Sequence, residues 1–319
     1  MKTKLTSTRL SSLRRCLRLH YYRYELGLAR VRQATPLRFG QVFHKGLELR
    51  HGLFGQDTQA LLDNVLADYG TAPAWADPTD WAVEHQTLRA LLTGHLWRYG
   101  SDNVTFVAVE QAFEIPLVNP GTGYPSRKFA LAGKIDGVVQ LPDGRLAVLE
   151  YKTTSEDVAQ GGEYWLRLRC DGQISQYVLA ARALGFDVAT VLYDVTRKPT
   201  IRLRQNETPE QYGQRLLADI GERPDYYYQR REVPRLEDEL ALYRAELWQQ
   251  AQHLIELRRR AARLADPTAA HFRNVGKITC GQCEFANLCL NGIRVTPDSP
   301  PAGYQVLPDV NPELGLEAA

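Results

Sequence analysis

Residues 136–152 read DGVVQLPDGRLAVLEYK, two apolar runs either side of Leu141-Pro142-Asp143-Gly144-Arg145. Pro suits the second position of a type I turn, and Gly suits the left-handed position after it. Together they predict a three-residue hairpin loop with a glycine bulge. If Leu141 pairs with Arg145, five steps outward along each strand bring Asp136 opposite Glu150. Opposed residues share a face, their Cβ atoms about 5 Å apart. Lys152, two positions beyond Glu150, points the same way. A two-residue loop would send Asp136 to the other face. The turn therefore predicts two carboxylates and an ammonium on one patch. An ion-pair trio at a strand end is one reading. A metal site is the other, because two close carboxylates repel unless they share a proton or a cation. Oxygen ligands suit Mg²⁺ or Mn²⁺, which polarise a phosphoryl oxygen and supply hydroxide at neutral pH. Lys152 would then hold the attacking water or offset developing charge.

Outward from the hairpin, helices are expected at 40–50, 58–70 and 84–99, with a Pro- and Trp-bearing loop at 71–81. Strands follow at 104–118, 128–141 and 145–151, then a helix at 172–184 ending before Gly185, and a strand at 188–195. A short extra strand is expected at 200–204 and a long helix at 236–264, with one apolar stripe through Leu240, Tyr243, Leu247, Leu254, Leu257, Ala261 and Leu264. This order gives the fold class α/β, one core wrapped by helices. The domain expectation is a single domain: an N-terminal segment 1–38, a core 39–205 with a helical insertion at about 55–100, a helical and cysteine-bearing region 206–296, and a poorly ordered Pro-rich tail 297–319. Gln173 and Tyr177 stand at i and i+4, on one face of the helix after the hairpin. His44 lies on the first of the core helices; on residues alone it is a core or surface histidine as readily as a ligand.

Aspartate on one strand, Glu-x-Lys on the next and Gln-x-x-x-Tyr on the following helix resemble the PD-(D/E)XK nuclease superfamily, and its RecB-like exonuclease branch in particular, over Phe39 to about Arg204. The resemblance implies an αβββαβ core with a mixed central sheet. It implies that His44, Asp136, Glu150 and the Tyr151 carbonyl bind metal. It implies that Lys152 aids the water nucleophile and that Gln173 and Tyr177 support Lys152 and the scissile phosphate. Glu110 matches an acid common on the family's first strand. The chain departs from the pattern at Ile135, where the motif's leading Pro would stand.

Residues 280–289, CGQCEFANLC, hold three cysteines in a Cys-x₂-Cys-x₅-Cys spacing, a metal signal that needs a fourth ligand. Cys16 and Cys170 are the candidates, and zinc or iron–sulfur the candidate metals. The segment SSLRRCLRLHYYRYELGL around Cys16 resembles the iron–sulfur members of the RecB-like branch, the AddB-type and CRISPR-associated exonucleases. There one N-terminal Cys joins three C-terminal Cys around a [4Fe-4S] cluster; Leu17 stands here where a Pro often follows. That implies a cluster on Cys16, Cys280, Cys283 and Cys289, joining the N- and C-terminal parts of the chain.

The 319 residues are 44% hydrophobic and 24% charged, ordinary for a soluble globular protein. No stretch approaches ~20 consecutive apolar residues, so no membrane span is expected. The cysteine spacing is unlike a disulfide framework, and the first 30 residues lack the apolar core of an export signal, so a reduced cytoplasmic setting is expected. Net charge is only +2, yet Arg14, Arg15, Arg18, Arg23, Arg30, Arg32 and Arg38 cluster against Glu25 alone. They read either as a solvated face or, with Tyr21, Tyr22 and Tyr24, as a path for a single strand through phosphate contact and stacking, with core packing the other reading of the tyrosines. No Gly-x₄-Gly-Lys-Ser/Thr is present, so any helicase motor or recombination partner acts in trans. The expectation is a metal-dependent DNA exonuclease for single strands or free ends, in repair, recombination or phage-type processing. A CRISPR adaptation nuclease that trims spacer precursors and a catalytically silent nucleic-acid scaffold are the alternatives. Oligomeric state is open.

Overall fold

In the computed structural model the Leu141 N–H donates to the Arg145 carbonyl at 2.8 Å and the Gly144 N–H to the Leu141 carbonyl at 2.9 Å, closing the hairpin at the predicted place. Gly144 adopts φ +86°, the left-handed value the turn demands. The register is the predicted one: Gly137 faces Leu149, Val138 faces Val148, Val139 faces Ala147 and Gln140 faces Leu146. The structure describes residues 2–32, 35–52, 58–67, 69, 72–296 and 298–314.

Among these residues eight strands form: β1 (Thr3–Leu5), β2 (Leu28–Arg30), β3 (Thr105–Val118), β4 (Pro125–Gln140), β5 (Leu146–Thr154), β6 (Val188–Arg197), β7 (Tyr228–Pro234) and β8 (Tyr304–Val306). The chain divides into two compact units, neither continuous in sequence. One holds Ala34–Gln111 and Ile135–Arg235; the other holds Met1–Gln33, Ala112–Lys134 and Leu236–Ala319. Met1–Gln33 and the segment from Leu236 onward thus share a unit although they are far apart in sequence.

The first unit carries a mixed sheet: β4 pairs antiparallel with β5, β5 runs parallel to β6, and β6 runs antiparallel to β7. β6 is buried almost throughout because both its faces are covered. Phe43 and Leu47 of the helix Thr35–Gly52, Leu88 and Leu91 of the helix Pro78–Tyr99, and Leu149, Leu192 and Tyr228 of the sheet build the core on one face. The helix Gly172–Ala183 carries the buried Ile174, Val178 and Ala181. Burial of each such side chain stabilises by roughly 1.5–3 kcal/mol. The helix expected from 84 begins at Pro78: Asp77 accepts from the Thr79 and Asp80 N–H groups, and Pro takes the first turn, where its missing N–H costs nothing. Residues 200–204 are not a strand; Ile201 and Leu203 pack on the core from an irregular segment, which explains their alternation.

In the second unit β1 runs parallel to residues 129–131 of β4. The helix Glu237–Ala261 buries the predicted stripe, although Leu264 lies beyond its end and is exposed. The described part of the Pro-rich tail is not unstructured: β8 pairs antiparallel with β2, and Leu307 N–H donates to the Gly27 carbonyl at 2.8 Å. Residues 315–319 of that tail, with 55–57, 68, 70 and 71 of the helical insertion and its loop, lie outside the described residues. No helix among the described residues is long and apolar enough to cross a membrane.

Candidate active site

The Lys152 ammonium pairs with Glu150, and the Asp136 charge acts on both. Glu150 is 2% exposed, and its Oε1 is paired with the Lys152 ammonium. Its Oε2 is buried with no hydrogen-bond partner. An orphaned carboxylate oxygen costs free energy unless something cationic completes it. Burial, with the nearby Asp136 charge, pushes the Glu150 carboxyl up to about 7 against the pull of Lys152. Burial also pushes Asp136 up, but His44, Lys152 and the Tyr151 N–H outweigh it and hold it below the usual value. One Asp136 oxygen accepts the Tyr151 N–H at 2.8 Å and lies 3.7 Å from His44 Nδ1. Burial lowers the Lys152 ammonium, yet Glu150 and Asp136 more than reverse that and keep it charged.

Asp171 caps the helix Gly172–Ala183 by accepting from the Gln173 N–H at 2.7 Å and the Ile174 N–H at 3.2 Å, which fixes the first turn. Gln173 Nε2 donates to the Tyr177 hydroxyl at 2.8 Å. Burial, then the Glu150 and Asp136 charges, raises Tyr177 well above its usual value, so the phenol stays protonated. Arg235 was not singled out from the sequence. It is 3% exposed, bonds the Ser175 hydroxyl and the Leu168 and Asp171 carbonyls, and clamps the start of that helix. Glu110 holds φ +51° inside β3, an unusual conformation for a residue with a Cβ.

The chain matches the PD-(D/E)XK nuclease superfamily over residues 4–290, nearly its whole length. It belongs to that superfamily. Among solved structures it resembles the crystal structure of SSO0001 at 14% identity and TM-score 0.37, covering 92% of this chain and 89% of that one. No curated protein matches it.

PD-(D/E)XK nucleases generally use Mg²⁺ or Mn²⁺. The oxygen-rich set at Asp136 and Glu150, with the orphaned Glu150 Oε2, fits such an ion in chemistry. Among the described residues no three His, Cys, Asp or Glu side chains are already gathered closely enough to hold a metal.

The second unit brings Cys16, Cys280, Cys283 and Cys289 to one cavity, which Tyr22 and Phe285 also line. All four are free thiols, while Cys170 is exposed and lies in the other unit. Burial raises the Cys283 thiol. Asn274 N–H approaches Cys16 Sγ at 3.4 Å, and Arg15 bonds the Thr279 carbonyl at 2.8 Å. Arg18 bonds the His271 and Thr268 carbonyls, Arg14 bonds Gln250, and Arg23 lies over the Tyr24 ring. Tyr21, Tyr22 and Tyr24 are 7%, 3% and 6% exposed. The tyrosine rings are interior, which is the core-packing reading, and Arg15 and Arg18 fasten the N-terminal segment to the cysteine-bearing one.

Proposed function

We propose that this member of the superfamily is a metal-dependent DNA exonuclease of the RecB-like type, acting on single strands or free ends. The observation that carries the reading is the buried Glu150 carboxylate, paired with Lys152 on one oxygen and unpartnered on the other. An unsatisfied buried acceptor costs about 1–3 kcal/mol, and a divalent cation on that oxygen would remove the cost.

Asp136, Glu150, the Tyr151 carbonyl and His44 would hold Mg²⁺ or Mn²⁺. Such an ion supplies Lewis acidity toward the phosphoryl oxygen and a lowered pKa for bound water. Lys152 stays charged, offsets negative charge at the phosphorus and orients a water against it. Tyr177, protonated and braced by Gln173, presents a neutral hydroxyl beside those charges. Cys16, Cys280, Cys283 and Cys289 would hold a [4Fe-4S] cluster, with zinc as the rival metal. The four thiols sharing one cavity support this.

The scaffold reading is favoured by one observation, that among the described residues no ready-assembled group of three ligands is present. End-labelled single- and double-stranded DNA incubated with Mn²⁺ separates the two. Wild type is expected to release nucleotides from an end, and Lys152→Ala to cut about 10²–10³-fold more slowly at similar DNA affinity. An inert wild type, indistinguishable from the variant, supports the scaffold.

A further inference from the structure

Tyr151, Asp194 and Arg230 face one another across β5, β6 and β7, on the sheet face opposite Glu150 and Lys152. Asp194 is 1% exposed and His95, from the helix Pro78–Tyr99, is 0% exposed. Asp194 Oδ2 lies 3.0 Å from His95 Nε2 and accepts from Arg230 Nε at 2.8 Å and Nη2 at 2.6 Å. The far nitrogen of Arg230 pairs with Asp102. A buried ionic cluster of this kind is weak evidence of a stabilising role, since apolar side chains often fill the same volume at no loss. Its placement gives it a purpose. The His95 ring meets the Tyr151 ring edge-on at 5.9 Å and Phe43 at 6.1 Å. Those neighbours belong to the two segments that present the site: the Tyr151 N–H holds Asp136, and Phe43 precedes His44.

We infer that His95, aimed by Asp194 and Arg230, is a positioning residue that sets the Tyr151 backbone and His44 against Asp136, and so tunes divalent-cation binding at the opposite sheet face. The two clamps on Asp194 fix the direction of the imidazole. The imidazole fixes two rings, and these fix a backbone amide and a ligand-bearing helix turn. The inference rests on the nuclease reading and extends it to residues that touch neither substrate nor ion.

The test is Mn²⁺ binding, read from the paramagnetic signal of the free ion, in wild type, His95→Phe, His95→Gln and Asp194→Asn without nucleic acid. Melting curves identify the folded variants. His95→Phe keeps the ring and loses the bond to Asp194; His95→Gln keeps a donor for it. The expected result is Mn²⁺ binding weakened about tenfold in His95→Phe and Asp194→Asn, and restored to within about threefold of wild type in His95→Gln. Cleavage should show the same order in the Mn²⁺ needed for half-maximal rate, with unchanged KM for DNA. Wild-type affinity in a folded His95→Phe, or in a folded Asp194→Asn should His95→Phe fail to fold, overturns the inference. So does equal weakening in His95→Phe and His95→Gln. A wild type that binds no Mn²⁺ and cuts nothing removes the nuclease reading instead.

Discussion

Glu150 and Asp194 are both acids buried in the sheet, and their surroundings move them in opposite directions. Titration gives Glu150 a testable signature. Without metal the native carboxyl holds its proton up to about 7, while the unfolded chain releases it near 4.5. Between those values the native state binds more protons, so raising pH costs stability, and above pH 7 this group adds no further slope. In chelator, urea unfolding of the wild type should weaken from pH 5 to pH 7. Glu150→Gln should flatten that slope, and equal slopes in both proteins would refute the assignment. Burial pushes Asp194 up, but His95 and Arg230 outweigh it and hold it at about 2, so the stability it adds is lost only as pH falls toward that value. Glu150 is legible in the sequence because Lys152 follows it at the strand period and a Pro-Asp-Gly turn lies between it and Asp136, whereas Asp194, in VLYDV, has no local companion: His95 and Arg230 come from a helix and a strand far away in sequence.

The hairpin shows how far local chemistry determines an element. Nothing lies within 4 Å of a Cβ built on Gly144, so its substitution meets a conformational penalty and no clash. Gly144→Ala should cost about 1–2 kcal/mol, the price of a left-handed L-residue, with the register and the cleavage rate per folded molecule intact. Deleting Asp143 should instead turn Asp136 to the other face and abolish cleavage; an active deletion mutant would show that the turn does not set the register. Elsewhere the pattern misled for identifiable reasons. Pro78 reads as a loop residue unless Asp77 is recognised as its cap. Ile201 and Leu203 alternate like a strand because the core beneath them takes every second side chain. Three-residue strands such as β2 and β8 carry too few positions for a period to register.

For the unit that holds the cysteines, the pairing of β2 with β8 and the apolar cluster of Tyr21, Tyr22, Leu28, Phe285 and Leu288 join distant segments before any metal is considered. Tyr304 stacks on Phe285 with centroids 5.9 Å apart and donates to the Glu284 carbonyl at 2.7 Å. Tyr304→Ala should speed hydrogen exchange at the Leu28–Arg30 amides; unchanged exchange there would mean that β8 is not what protects them. Protein purified without oxygen should be brown and lose its colour in Cys280→Ser, whereas a colourless protein with stoichiometric zinc would replace iron by zinc at the four thiols.

The interleaving of the two units also orders events on a ribosome. Every segment of the unit that carries Glu150 and Lys152 has been made once residue 235 emerges. Cys16 must wait until residue 289 for the last of the thiols that share its cavity. At about 5–20 residues per second, that delay is on the order of 14–55 s. For the last fifth or so of that interval, once residue 235 is out, the nascent chain carries every segment of the Glu150 unit while Cys16 still waits for its last companion thiol.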